Sequence, residues 1–268
     1  MLRFADRDTT RLLQTGDPEP VEWVNTGSGS TIFLTCEHAG RAIPAALGDL
    51  GIAAGEMDRH IAYDVGAEGV ARGLAERLDA ALILQRYSRL VIDCNRPLEA
   101  KDCIVTQSDG TVVPANANIA DRDRSRRYVE IHQPLHEAIA TALDQRQARG
   151  KPLFLVSVHS FTPVMRATGA VRDFELGLLY NRDARLAEQL AKAFRAANPD
   201  VTVKLNAPYH VDDVSDFTIP VHGERRGIAH VLIEVRNDLI TNARGQEEWA
   251  GRLAPALRLA ADNLEGNA

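Results

Sequence analysis

The sequence predicts a three-layer α/β sandwich, in which a mixed, mostly parallel sheet carries helices on both faces. Two observations predict it. Short, continuous apolar runs alternate along the chain with segments of helical spacing, which is the pattern of strands buried on both faces and linked by crossover helices. The chain has 268 residues, 45% hydrophobic and 25% charged, so it has the length and composition for a substantial core.

The elements follow in order. Residues 1–29 contain Gly16, Pro18, Pro20, Gly27 and Gly29 and read as an irregular arm, ahead of a single α/β domain over residues 30–268. Residues 31–36 are apolar and β-branched and read as a strand, closed by the turn-forming Glu37-His38-Ala39-Gly40. Residues 64–79 space Val65, Val70, Leu74 and Leu78 along one helical face, with Asp64 placed as an N-cap. Residues 81–84 and 90–92 are the next strand candidates. Residues 98–120 form a long excursion with Gly110, Pro114, Asn116 and Asn118, and long loops often carry function. Residues 122–148 read as a helix interrupted at Pro134. Residues 153–158 read as a buried strand, 183–197 as a helix, 201–205 and 230–233 as strands, and 246–264 as the last helix.

Composition excludes some functions. Aromatics make up 5% and the net charge is −6, from 31 Lys+Arg against 37 Asp+Glu, which argues against base stacking and against tracking a phosphate backbone. The cysteines Cys36, Cys94 and Cys103 are odd in number and lack C-x-x-C spacing, unlike a disulfide scaffold or a zinc knuckle. No apolar run reaches a signal core or a membrane span. The chain therefore reads as cytoplasmic, with a small-molecule substrate and neither nucleic acid nor membrane as partner. Its oligomeric state stays open.

Open α/β sheets bind ligands beyond the carboxyl ends of their strands. His38 and His159 stand just past two apolar runs, and Glu234 just past a third. A catalytic zinc site uses three such N/O ligands and keeps one position open. A further carboxylate can carry a proton to a leaving amine, and Glu234 suits that task. For the third ligand, Asp64 is preferred and Glu37 is second, because adjacent strand residues such as Glu37 and His38 point to opposite faces. Plainer roles compete: Asp64 as a helix cap, Glu37 as a partner to a ligand, and Asp93, Asn95 and Arg96 as a hydrogen-bonded turn before Pro97. Arg89, Arg96, Arg166, Arg172 and Arg236 lie near the same strand ends. Their guanidinium forks suit a carboxylate-bearing substrate, against ordinary surface pairing. A cysteine nucleophile is the weaker alternative, since free Cys is commonly a small buried hydrophobe.

Seven segments, in order, carry a resemblance: TCEHAGRAIPAALG (35–48), HIAYDVGAEGVARGLAERL (60–78), YSRLVIDCNRP (87–97), PLHEAI (134–139), VSVHSFTPV (156–164), NAPY (206–209) and IEVRNDLI (233–240). Together they resemble the N-formylglutamate amidohydrolase family. The resemblance implies a phosphorylase/hydrolase-like fold, shared with zinc carboxypeptidases and zinc-dependent N-acetylmuramoyl-L-alanine amidases. It implies hydrolysis of N-formyl-L-glutamate to formate and L-glutamate, a step of histidine degradation. It also implies Zn2+, or another divalent metal, on His38, Asp64 and His159, with Glu37 as the alternative third ligand and Glu234 as the catalytic group. Arg89, Asn95, Arg96 and Arg236 then hold substrate carboxylates, Asn206 and Tyr209 line the pocket, and His136 and His222 stand as oxyanion or supporting groups. One departure is visible: the carboxypeptidase-type H-x-x-E pair is absent, because Arg41 stands three residues after His38. The rival readings are a zinc amidase or carboxypeptidase with another N-acyl or peptide substrate, and a non-catalytic ligand-binding relative.

Overall fold

The computed structural model describes residues 11–266. Its strands are β1 (Val21–Val24), β2 (Ile32–Cys36), β3 (Ala81–Gln85), β4 (Gln107–Ser108), β5 (Thr111–Val112), β6 (Phe154–Phe161), β7 (Leu176–Leu179), β8 (Val203–Leu205) and β9 (Ala229–Arg236). Its helices are α1 (Ala67–Arg77), α2 (Asp121–Arg127), α3 (Gln133–Gln147), α4 (Arg185–Ala197) and α5 (Ala243–Glu265). A 7-stranded sheet runs in the order β1-β3-β2-β6-β9-β7-β8, and β4 and β5 form a separate hairpin. The neighbours β3-β2-β6-β9 are parallel. β1 is antiparallel to β3, β7 is antiparallel to β9, and β8 is parallel to β7. The sheet is thus mixed and mostly parallel at its centre, with helices on both faces, as the sequence predicts.

Side chains alternate between the two faces of a strand, and this alternation sorts the core. Leu34, Leu82, Val156, Val158, Val231 and Ile233 face α1, α4 and α5, where they meet Leu74, Leu190, Trp249, Leu253 and Leu257. Phe33, Ile83 and Leu155 face the opposite way and meet Ile131, Leu135, Ile139 and Leu143 of the α3 region, with Leu90, Val91 and Ile92. Each fully buried side chain of this kind is worth about 1.5–3 kcal/mol. Ser157, His159, His230 and Glu234 share the face of Leu155 by the same parity. The register pairs His159 of β6 with Glu234 of β9, so two polar residues from one face sit side by side at the carboxyl ends.

The structure corrects several local expectations. Residues 21–24, read as part of an irregular arm, form an edge strand on β3; residues 1–10 of that arm lie outside the described residues. The strand was hidden by its shortness and by half-exposed side chains. Residues 90–92 are a buried turn instead of a strand. Side chains satisfy several of their backbone groups: Ser88 Oγ accepts from Leu90 N at 3.1 Å, and Asn116 Nδ2 and Arg127 Nη1 donate to the carbonyls of Leu90 and Val91, each at 2.8 Å, while Val91 N donates to the Ser88 carbonyl at 2.9 Å. β7 was not anticipated. The predicted helix over 122–148 is α2, a π-helical turn at Tyr128–His132, and α3. Pro134 falls in the first turn of α3, where its missing N–H leaves no intrahelical bond unmade. Asp64 does not cap α1; that position belongs to Gly66, at φ 80°.

β7 depends on Gly177. A Cβ there would fall 2.0 Å from the Ala207 carbonyl oxygen and 3.3 Å from Glu234 Cβ. The obstacle is backbone, so relief requires the strand to shift. Gly177→Ala is expected to destabilise the protein by about 1–3 kcal/mol, read as a lower urea midpoint at unchanged slope. A variant as stable as the parent would show that β7 is not packed this way.

Candidate metal centre

The residues of the centre arrive from separate elements. The end of β2 delivers Glu37 and His38, and the turn beyond it presses against β3. That approach needs Gly40, because a Cβ there would sit 2.0 Å from the Arg86 carbonyl oxygen. The next segment returns Asp64 to His38, with Asp64 N donating to the His38 carbonyl at 2.9 Å. β6 delivers Ser157 and His159, β9 delivers Glu234, and the buried turn after β3 delivers Arg89, Asp93, Asn95 and Arg96.

Both histidines are held by carboxylates. His38 Nε2 lies 2.7 Å from Asp93 Oδ1 and His159 Nε2 lies 2.9 Å from Glu37 Oε2. Ser157 Oγ donates to the same Glu37 oxygen at 2.7 Å. Each Nε2 proton is therefore directed at a carboxylate, which turns both Nδ1 atoms toward Asp64. His159 Nδ1 is 2.8 Å from Asp64 Oδ2, and His38 Nδ1 is 3.4 Å from the same oxygen. His38 Nδ1 is buried with no hydrogen-bond partner. The donor atoms of His38, Asp64 and His159 all lie within 4.8 Å of one another. Two imidazole nitrogens and a carboxylate, each imidazole backed by an outer carboxylate, are a donor set that fits a divalent ion of the zinc kind.

The electrostatics agree with a site built for positive charge. Burial pushes His159 toward neutrality, but its bonds to Asp64 and Glu37 outweigh this and hold its proton well above the usual histidine range. Burial likewise pushes Glu37, Asp64 and Asp93 up. His159 overrides it for Glu37, His38 with His159 for Asp64, and Arg89 with His38 for Asp93, so all three lie below the usual carboxylate range. Glu234 differs: burial, aided by the charge of Asp64, pushes it up to about 7 against the pull of His159. Its Oε2 is buried without a partner.

These groups open into a cleft of about 120 Å³ lined by His38, Asp64, His159 and Glu234. Of the residues that the sequence reading assigns to the substrate, Arg89, Asn95, Arg96 and Tyr209 line this cleft. A larger cavity of about 590 Å³ between Trp23 and α3 holds none of these strand-end residues, and the chemistry belongs to the smaller one.

Other predicted site residues lie elsewhere. Glu37 is on the far side of the His159 ring and outside the metal-capable group. Arg236 stands two strand residues past Glu234, roughly 6.6 Å further along, where it pairs with Glu175 and Asp238. Asn206 does not line the cleft; its backbone is left-handed at φ 49°, and its Oδ1 accepts from Tyr180 N at 2.9 Å. His136 and His222 are buried away from the cleft and bonded to each other, Nδ1 to Nε2, at 3.0 Å. Burial pushes both well below the usual histidine range. Cys36, Cys94 and Cys103 are free and buried, and burial pushes their thiols up, which leaves them poor nucleophiles. The sequence reading missed His60 and Asp216 as cleft residues; neither follows an apolar strand. It took Asp93 for a turn residue, and Asp93 does hold Asn95 N at 2.9 Å while also orienting His38.

Comparison with known proteins gives a consistent picture. The fold matches a gene product of Agrobacterium tumefaciens at TM-score 0.90 and 35% identity, over 95% of this chain and 100% of that one. It matches the N-formylglutamate amidohydrolase of Ralstonia eutropha at TM-score 0.68 and 18% identity, over 94% of this chain and 100% of that one. At that identity the likeness shows the fold alone. No curated protein matches the sequence. The family model for N-formylglutamate amidohydrolase matches residues 30–241. That span takes in β2 through β9 with every residue of the centre, and the chain belongs to the N-formylglutamate amidohydrolase family.

Proposed function

We propose that this protein is a zinc-dependent amidohydrolase that cleaves the N-acyl amide of a small acidic amino acid, N-formyl-L-glutamate foremost, giving formate and L-glutamate. The observation that carries the reading is the convergence of His38 Nδ1, Asp64 and His159 Nδ1 beside the unpartnered carboxylate of Glu234. His38, Asp64 and His159 would hold the ion; Zn2+ suits the donor set, and other divalent metals accept N/O ligands of this type. When bound, such an ion supplies a Lewis acid that activates water and polarises the scissile carbonyl.

The remaining work falls to this chain's own residues. Glu234 is poised near neutrality, so its carboxylate takes a proton from the attacking water and returns it to the leaving amine. Glu37 and Asp93 keep the two imidazoles in the tautomer that frees Nδ1. Arg89, Asn95, Arg96 and Tyr209 face the cleft and suit the carboxylates of a small acidic substrate. A cleft of about 120 Å³ favours a small molecule over a polymer. No helix among the described residues is long and apolar enough to cross a membrane. We read the enzyme as acting in the cytoplasm, on a product of histidine degradation.

Glu234→Gln is expected to keep its metal and lose about 10²–10⁴-fold in kcat on N-formyl-L-glutamate. Full activity in a metal-loaded sample would remove Glu234 from the mechanism. A second test uses pH. The raised proton affinity of His159 stabilises the metal-free protein below the usual histidine value of about 6.5, and that contribution is lost as pH rises through the folded value. Glu234, raised from 4.5 to about 7, makes stability fall as pH rises across that window. Both run in one direction, while the buried His60, His132, His136 and His222, held below the usual histidine value, run in the other. The share of Glu234 is therefore read by difference, and from pH 5.5 to 8 chelated Glu234→Gln is expected to lose less melting temperature, or gain more, than the chelated parent. Metal and protons compete for the same nitrogens, so affinity for Zn2+ in equilibrium dialysis should strengthen over the same rise. A flat affinity would place the metal elsewhere.

A further inference from the structure

We propose that Arg172, one of the five arginines near the strand ends but not one of those the family resemblance assigns to the substrate, reads the side-chain carboxylate of the substrate and so sets the enzyme's preference for an acidic amino acid. The inference rests on the amidohydrolase reading and deepens it.

Arg89 meets Asp64 and Asp93, Arg96 meets Asp102 and Asp216, and Arg236 meets Glu175 and Asp238. Each of these charges is shared with two carboxylates of the protein, which leaves only part of it for a ligand. Arg172 meets no carboxylate among the described residues. Its Nη1 donates to the Thr162 carbonyl at 3.2 Å. Its guanidinium carbon lies 4.9 Å from the centre of the Tyr209 ring and 5.8 Å from that of Phe161. Both rings line the cleft, so the cation packs against two of its wall residues, one side chain removed from the cleft itself.

The placement is held by its surroundings. Arg172 N donates to the Pro163 carbonyl at 2.8 Å, and Val164 bridges Val171, so residues 163–172 close as a hairpin directly after β6. The tip is tied down where Arg166 N and Ala167 N donate to Asp109, at 3.1 and 2.8 Å. A guanidinium stacked on aromatic faces has five N–H donors, and Arg172 uses part of its N–H edge on the Thr162 carbonyl and on Tyr209; the remaining donors suit a carboxylate. Fixing the guanidinium beforehand lowers the ordering cost of binding. A substrate with two carboxylates needs two cationic partners. Arg96 and Asn95 in the cleft suit one, and Arg172 beside Tyr209 suits the other.

The test compares N-formyl-L-glutamate with N-formyl-L-glutamine, which differ only in side-chain charge, on the metal-loaded full chain. Arg172→Met keeps an apolar stem against the two rings, and its circular dichroism and melting establish folding. The expected result is a loss of about 10–100-fold in kcat/KM for N-formyl-L-glutamate, through KM, with N-formyl-L-glutamine turnover unchanged and partial rescue in Arg172→Lys. A variant that retains the parent's discrimination would overturn the proposal. Calorimetry with glutarate and butyrate separates this from failure of the reaction itself. If the parent hydrolyses neither formyl compound, the amidohydrolase reading falls. Tighter binding of glutarate than butyrate, lost in Arg172→Met, still supports the assignment, and equal affinities in parent and variant overturn it.

Discussion

The structure depends on one buried histidine gripped between two buried carboxylates. His159 sits between Glu37 and Asp64, at 2.9 and 2.8 Å, and all three are almost without solvent contact. The contact joins the end of β2, the carboxyl end of β6 and the segment before α1. Carboxylates taken out of water are tolerated only when opposite charge and hydrogen bonds answer them. In the metal-free protein the His159 proton does this; a divalent ion at the same place would do so more strongly. The need for positive charge is thus built into the packing of the strand ends.

The outer carboxylates have a second consequence. Asp93 holds His38 through one oxygen and Arg89 through the other, and its Oδ1 also accepts from Asn95 N. Asn95 in turn reaches the 216–218 segment, its Oδ1 accepting from Thr218 N at 3.0 Å. The orientation of a ligand histidine and the shape of the substrate wall are therefore set by one turn, residues 88–96. Being buried, that turn is held by side-chain as well as backbone hydrogen bonds, and a shift there would move imidazole and arginines together.

How much of this was legible in the sequence follows from the physics of each residue. The sheet and its helices were readable because strands buried on both faces are continuously apolar, as in residues 154–158 and 231–233. His38, His159 and Glu234 were readable because each follows such a run, where an α/β sheet places its ligands. Residues 90–92 misled because an apolar run in a buried turn looks like one in a strand. β7 was missed because Gly177 dilutes its strand character, yet the glycine is there for the approach of Ala207. Arg236 and Asn206 were misplaced because nearness to a strand end says nothing of what else competes for the side chain: Glu175 and Asp238 in one case, Tyr180 N in the other. Glu37 was ambiguous because its role depends on Ser157 and His159, far away in sequence and close only across the sheet.

The net charge of −6 points away from an acidic ligand, and the local arrangement shows why the total misleads. Arg89 and Arg96 stand in the cleft, but each is bound to two acids of the protein. The first effect of Arg89 is to stabilise Asp64 and Asp93 beside the histidines, and that of Arg96 is to pair Asp102 and Asp216. Beyond what these pairs leave over, charge for a ligand has two sources, an ion that His38, Asp64 and His159 would hold and Arg172, which meets no carboxylate among the described residues. With neither in place, an acidic molecule entering the cleft would face Asp64, Asp216 and Glu234 against cations already shared with acids of the protein. On the proposed function, affinity for an acidic substrate is coupled to the candidate metal centre, because an ion there would also reverse the sign of the field at the cleft floor.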